Sequence, residues 1–301
     1  MSAVARRRVP PAVWFLAPAL AAMALFFFLP VAAALGLSLT DFDIYAIGDP
    51  GALRFVGLHN YAALLHDPKF WVALRNTLYF VVAGGPLSVA VSLGAALLVN
   101  APLARFRGFY RTVLFLPVVT TLVAVAVVWR YLYHPRLGLL AHLFEALGLT
   151  PVDWLGDPRF AMPAIIAMAV WKNFGFNMVI FVAGLQSIPE RLYEAARIDG
   201  AGGWAQFRWV TLPMLGPTTL FVVLSTSIGY FQLFAEPYVM TGGGPVDATL
   251  SIVLLMFRQG FRWWNLGYAA AVAFVLFALI LVVSAVELRL RGRAAAGEGA
   301  S

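Results

Sequence analysis

Apolar residues run along this chain in long blocks rather than in alternation. Residues 12–39, 76–99, 112–129, 160–186, 215–235 and 265–286 each form such a block. A bilayer core needs about 20 mostly apolar residues per helix, so the pattern predicts six membrane-spanning helices. Five blocks carry no charge and the fourth is interrupted only by Lys172. A membrane β-barrel would show in-and-out alternation over about ten residues per strand, and runs such as AVSLGAALLV show none. The first block follows Arg6, Arg7 and Arg8 and exceeds the roughly 7–15 apolar residues of a secretory leader, so it reads as an uncleaved span.

Composition agrees with an all-α polytopic membrane protein. Of 301 residues 62% are hydrophobic and 12% charged, and the mean hydropathy is +0.85. Cysteine is absent, which removes disulfides, thiolate nucleophiles and Cys-based metal sites. His59, His66, His134 and His142 lack ligand spacing, and no HExxH or GxSxG occurs. With six spans, both termini and the stretches 100–111 and 187–214 share one side. That side holds Arg6, Arg7, Arg8, Arg105, Arg107, Arg111, Arg191, Arg197, Arg208, Arg289, Arg291 and Arg293. Basic residues mark the cytoplasmic face, so both termini are expected there. The net charge of +7 is largely this asymmetry against anionic membrane lipid; it does not suggest nucleic-acid binding.

Between the fourth and fifth spans the chain reads EAARIDGAGGWAQFRWVTLP. Ser187-Ile188-Pro189-Glu190 has the form of a capping box with proline in the first turn, so a short helix is expected over about 188–199. Gly200 is placed to end it in a left-handed conformation, and residues 204–210 can add a second helical turn before Pro213. The result is an elbow on the cytoplasmic membrane surface. Ala195 and Ala196 admit a partner backbone, and Glu194 offers it a carboxylate.

Glu194-Ala195-Ala196, Gly200, Val210 and Leu212-Pro213 stand at the offsets of a known motif. The stretch resembles the EAA loop of binding-protein-dependent ABC importer permeases, with Val210 at a usual isoleucine position. WLGDPRFAMP, WKNFGFNMVIFVAGLQSIP and TGGGP extend the likeness over nearly the whole chain, towards the branch that includes maltose, lactose and glycerol-3-phosphate permeases. The resemblance implies a single permease domain over 1–301 with the type I importer fold, and a coupling loop over 187–214. Glu194, Ala195, Ala196, Asp199 and Gly200 would grip an ATPase. It further implies a second, different permease subunit, two ATPase subunits and an extracytoplasmic solute-binding protein. No cofactor is expected in this chain, since ATP and magnesium would sit on the ATPase; no GxxxxGK[ST] loop occurs here.

Lys172 lies about eleven residues into the fourth span, roughly 16 Å deep at ~1.5 Å per residue. A charge there costs at least ~2.5–3.5 kcal/mol. It is therefore expected to face a watery path, to pair with a carboxylate or backbone carbonyl in the bundle, or to snorkel. Asn173, Gly175, Phe176 and Asn177 bring amides, room for backbone bending and aromatic faces to the same level, a mixture suited to a sugar. By position, the resembled maltose permease places sugar contacts on Lys172, Asn173, Phe176, Thr226, Tyr230 and Leu233, with Gln232 adjacent. Most of these residue types differ from that permease, which implies another substrate. Glu236 is expected either in the outer vestibule or held by a nearby arginine. Phe174 and Phe231 read as core or lipid contacts, TGGGPVDATL as a tight outer loop, and HDPKFW as a short surface helix before the second span. The expected activity is import of a sugar; the alternatives are a glycerophosphate importer and an ion-coupled transporter, which the scarcity of intramembrane carboxylates disfavours.

Overall fold

A computed structural model describes residues 11–44, 53–101 and 106–298; Arg6, Arg7, Arg8 and Arg105 lie outside them. The regular elements are helices, with one isolated bridge from Thr40 to Phe55. In chain order they are α1 (Phe15–Ser38), α2 (His59–His66), α3 (Pro68–Asn100), α4 (Arg107–Val119), α5 (Leu122–Leu132), α6 (Leu139–Ala146) and α7 (Pro158–Gln186). There follow α8 (Glu190–Ile198), α9 (Gly203–Met214), α10 (Gly216–Phe231), α11 (Ala235–Met240), α12 (Ile252–Phe257) and α13 (Leu266–Glu298). Helices α1, α3, α7 and α13 are long and apolar enough to cross a membrane, and the bent pairs α4/α5 and α9/α10 bring the candidates to six.

Three expectations are corrected. The second span begins at Pro68 rather than 76: Asp67 accepts the Lys69 N–H at 2.9 Å and Pro68 fills the first turn, where its missing donor costs nothing. HDPKFW therefore opens the span, and the short separate helix is α2. The third span is not one helix, because α4 and α5 meet at 95°. Pro117 lies two residues before the end of α4 and cannot donate within it; the Thr120 hydroxyl then donates to the Pro117 carbonyl at 2.7 Å. The fifth span, expected over 215–235, is bent by 67° from α9 and already ends at Phe231. The turn that follows is fastened by Ser251, whose hydroxyl donates to the Leu233 carbonyl at 2.6 Å.

The chain divides into two compact units, 1–66 with 256–274 and 67–255 with 275–301. In the first, the Asn60 amide donates to the carbonyls of Ser38 and Thr40, and Gly267 packs so closely on the Thr40 carbonyl that no Cβ fits. The second unit is built round α7. Met178, Phe181, Val182 and Leu185 pack with Ala96 and Val99 of α3 and Val222 of α10. Phe174 and Phe231 are buried in it. Helix α7 runs unbroken through Gly175, so that glycine is not a bending point: a Cβ there would strike the Leu114 carbonyl and lie 3.1 Å from Phe115 Cα. It is the place where α4 touches α7.

Asp157 caps α7, accepting the Arg159 N–H at 2.9 Å and pairing with its guanidinium at 2.7 Å. The Arg159 guanidinium, and then its amide, hold the Asp157 carboxyl below the usual range. A depressed folded value means that the cap contributes above the unfolded value and is lost as pH falls through the folded one. Trp154 fluorescence should report a local stability that is flat above about pH 4 and declines below it. A decline that begins nearer pH 6 would assign the effect to another group.

Candidate functional site

The interruption between α10 and α11 opens a cavity of about 560 Å³ in the second unit. Helix α7 contributes Asn173, Phe176 and Asn177, and α10 contributes Ser225, Thr226, Gly229 and Tyr230. The non-helical turn adds Gln232, Leu233 and Phe234, and the first turn of α11 adds Ala235 and Glu236. Phe80, Val118 and Leu122 complete the wall. A helix broken at membrane depth frees backbone and side chains to face a solute, and this is tolerated where a cavity is lined.

Every expected path residue except Lys172 lines this space. The Asn177 amide donates to the Thr226 hydroxyl at 3.0 Å, tying α7 to α10. The Tyr230 ring packs on Phe80 with centroids 4.7 Å apart. Its buried hydroxyl has no hydrogen-bond partner among the described residues, with Ser88 and Asn173 as its polar neighbours. Glu236 is buried and forms none of the ion pairs seen among the described residues, which join Arg54 to Asp41, Arg159 to Asp157 and Arg197 to Glu190. It lines the cavity and is not in an ion pair with an arginine among the described residues.

Lys172 is buried behind the wall, and its ammonium donates to the Val118 carbonyl at 3.1 Å. That carbonyl belongs to the last turn of α4, where helix carbonyls lack internal donors and a cation suits the helix dipole. The ammonium thus meets the cavity wall at Val118 and interacts electrostatically with Glu236. Lys172→Met should leave membrane levels intact, because the substitution also removes the cost of burying an ammonium. Leaving that carbonyl without its donor costs ~1–3 kcal/mol at the cavity wall, and uptake should slow by up to roughly 5–150-fold. Uptake at the unsubstituted rate would show that the α4/α5 corner stands without the ammonium.

Phe80, Val118, Leu122, Ser225, Gly229, Phe234 and Ala235 were not singled out by sequence. Ser225 and Gly229 precede Thr226 and Tyr230 by one residue each, at the same four-residue spacing, so helical periodicity could have found them. Phe80 carries no such signal, since only the packing of α3 on α10 brings it to the site.

The elbow is formed by α8 and α9. Its capping is not as expected: the Ser187 hydroxyl turns back to the Gly184 carbonyl at 2.8 Å, Pro189 is the residue before α8, and Glu190 pairs with Arg197 at 2.8 Å. Helix α8 ends as expected. Gly200 has φ +79°, its N–H meets the Arg197 carbonyl, and the Ala201 N–H meets that of Ala196 at 2.8 Å, a Schellman termination. Leu192, Tyr193 and Val210 pack on the core, and the Tyr193 and Thr211 hydroxyls join the two arms at 2.9 Å. Glu194, Ala195, Ile198 and Asp199 are exposed and Ala196 is half-buried. The TGGGPVD loop is a tight turn, with Gly242 and Gly243 at φ +61° and +90°. It is pinned to α3 by the Asn76 amide, which donates to the carbonyls of Asp247 at 2.8 Å and Leu250 at 3.0 Å.

Residues 101–294, which carry the elbow and most of the cavity, match the family described as binding-protein-dependent transport system inner membrane component. The chain belongs to this family. It is a multi-pass transport permease, not a catalytic enzyme. It is 37% identical over 275 residues to the lactose transport system permease protein LacF of Rhizobium radiobacter, covering 90% of each chain. It is 35% identical over 277 residues to the sn-glycerol-3-phosphate transport system permease protein UgpA of Agrobacterium fabrum, covering 91% of this chain and 92% of that one. Its fold is that of a chain in the crystal structure of a bacterial alginate ABC transporter in complex with an alginate pentasaccharide-bound periplasmic protein. The TM-score is 0.82 at 20% identity, with 94% of each chain covered.

Proposed function

We propose that this permease forms half of the translocation path of an ATP-driven importer for an uncharged sugar. The observation that carries the reading is the cavity lining. Asn173, Asn177, Gln232, Ser225, Thr226 and Tyr230 offer amide and hydroxyl groups, Phe80, Phe176 and Phe234 offer ring faces, and Glu236 supplies the charge, with no Lys, Arg or His among the lining residues. Sugar hydroxyls pair with amides and carboxylates, and the apolar faces of sugar rings stack on aromatics. An anionic solute would meet the Glu236 carboxylate without a cation at the wall to offset it, because the Lys172 ammonium is engaged by Val118. A lactose permease and a glycerol-3-phosphate permease are similar to this chain to nearly the same degree, so the reading rests on the lining rather than on that likeness.

In this reading Lys172, Asn173, Phe176, Asn177, Thr226, Tyr230, Gln232, Leu233 and Glu236 form or support one half of the path, and a second, different permease subunit supplies the other half. Glu194, Ala195, Ala196, Asp199 and Gly200 dock on one of two ATPase subunits, which bind ATP and magnesium. A solute-binding protein delivers the sugar at the outer face, where the exposed tip of the TGGGPVD loop lies. Both termini are cytoplasmic. ATP-driven closure of the ATPases turns the path outward, and hydrolysis returns it inward.

Uptake of labelled neutral oligosaccharides and of glycerol-3-phosphate, compared in the host with and without this chain, tests the substrate class. Loss of neutral-sugar uptake is the expected result; loss of glycerol-3-phosphate uptake alone would overturn it. Affinity purification from mildly solubilised membranes tests the assembly. Recovery of a P-loop ATPase and a second permease is expected, and reproducible recovery of this folded chain alone would refute it.

A further inference from the structure

A second cavity of about 510 Å³ lies between α3, α10 and α13, on a face of α10 that adjoins the first cavity and shares Thr226 with it. Its walls are almost entirely apolar, with Val82, Val89, Val223 and Val283 among them. Along α3 it reaches from Leu78 to Ala90, roughly 18 Å at ~1.5 Å per residue. The volume spread over that length lets the centre of a water-sized sphere range over about 6 Å, so the walls stand about 9 Å apart. A helix with its side chains is about 10–12 Å wide and does not fit; a single hydrocarbon chain does. Val82 is 70% exposed, so the channel opens at the apolar surface of this chain.

One end of the chemistry is polar. The Ser227 hydroxyl donates to Glu287 Oε1 at 2.8 Å. The other oxygen, Oε2, is buried and has no hydrogen-bond partner among the described residues. Glu287 stands three residues before the end of the apolar stretch Leu266–Leu290, at the depth where the hydrocarbon core gives way to head groups. A carboxylate oxygen beside hydrocarbon calls for a donor, and a cationic donor is favoured most because the low dielectric strengthens the attraction. Phosphate or other anionic head groups alone would be repelled.

We propose that this cleft holds a membrane phospholipid with a primary ammonium head group, of the phosphatidylethanolamine type. The ammonium donates to Glu287 Oε2, and one acyl chain lies along α3 past Val89 and Val82. Thr226 lines both cavities and hydrogen-bonds to Asn177, so a lipid seated here stiffens the α10 wall of the path.

The test uses the full chain, with whatever subunits purify with it, in lipid nanodiscs. These carry a trace of phosphatidylethanolamine or phosphatidylglycerol bearing a photoactivatable acyl chain, and labelled peptides are mapped by mass spectrometry. The ethanolamine probe should label peptides of α3 and α13 about tenfold more than the glycerol probe, and Glu287→Gln should bring the two to the same level. Val283→Trp, which fills the channel, should abolish labelling by both probes. Equal labelling by the two head groups, unchanged selectivity in Glu287→Gln, or labelling confined to other helices would each overturn the proposal. Should Glu287→Gln fail to fold, Ser227→Ala gives the same reading, since freeing Oε1 alters head-group selectivity only if the carboxylate holds the lipid.

Discussion

Glu194→Lys is expected to abolish solute uptake while the subunit still inserts and folds. Glu194 lies on the exposed side of α8, beside Ala195 and one turn before Ile198, which is 86% exposed. The opposite side, through Leu192 and Tyr193, is packed on the core. Charge reversal therefore leaves the fold's own contacts in place, and exposed substitutions of this kind usually shift stability by no more than about 0.5 kcal/mol. If, as proposed, a docked ATPase meets Glu194 with a cationic group, the same change sets like charges together, which costs several kcal/mol; uptake should fall about 100-fold or more. The checks are uptake, ATPase recovery in a pull-down and the thermal midpoint of the purified subunit. Full uptake would end the coupling role of α8, and a large drop in the midpoint would show that the residue serves the fold instead.

Gly175→Ala carries the second large effect, for a different reason. The added Cβ has no room: it meets the Leu114 carbonyl and Phe115 Cα, with Val118 Cγ2 at 3.1 Å. Two of these are main-chain atoms, which cannot swing aside as a side-chain tip can. Overpacking of this kind costs ~1–3 kcal/mol and forces α4 away from α7. Moving α4 carries the Val118 carbonyl from the Lys172 ammonium and shifts the cavity wall that Val118 forms. A fall in folded yield and a loss of uptake of about tenfold or more are expected together. Gly94, which sits within α3 with open space around it, offers a comparison inside a span. Normal yield and uptake in Gly175→Ala would mean that the α4–α7 contact is looser than this spacing.

The elbow was legible because its signals are local. Gly200 ends a helix through its own φ and the neighbouring amides, and the apolar positions that bracket Glu194 follow from helical periodicity alone. The capping box was misread because Ser187 had two helices to serve. Its hydroxyl reached the Gly184 carbonyl at the end of α7, which also accepts the Ser187 N–H, rather than an amide at the start of α8, and sequence spacing does not rank these two.

In the cavity the same division appears. Asn173, Phe176 and Asn177, then Thr226, Tyr230 and Leu233, were recognisable as polar and aromatic groups at common levels in apolar spans. Phe80 and Val118 were not, because they arrive through contacts between distant segments. Lys172 was singled out by its burial cost, yet only the bend between α4 and α5 provides the carbonyl that receives it.

By itself, then, the amino-acid sequence determined that this is an all-α, multi-pass membrane protein, where its apolar stretches run, and which family its spacing resembles. Those properties depend on composition and short-range periodicity, since every backbone group in a bilayer must be satisfied within its own helix or barrel. Tertiary structure alone decided that the third and fifth spans break, that Gly175 is a contact point rather than a hinge, and that Glu236 faces the cavity. Each of these turns on which distant residue supplies a donor, a carbonyl or a steric limit, and hydropathy carries no information about that partner.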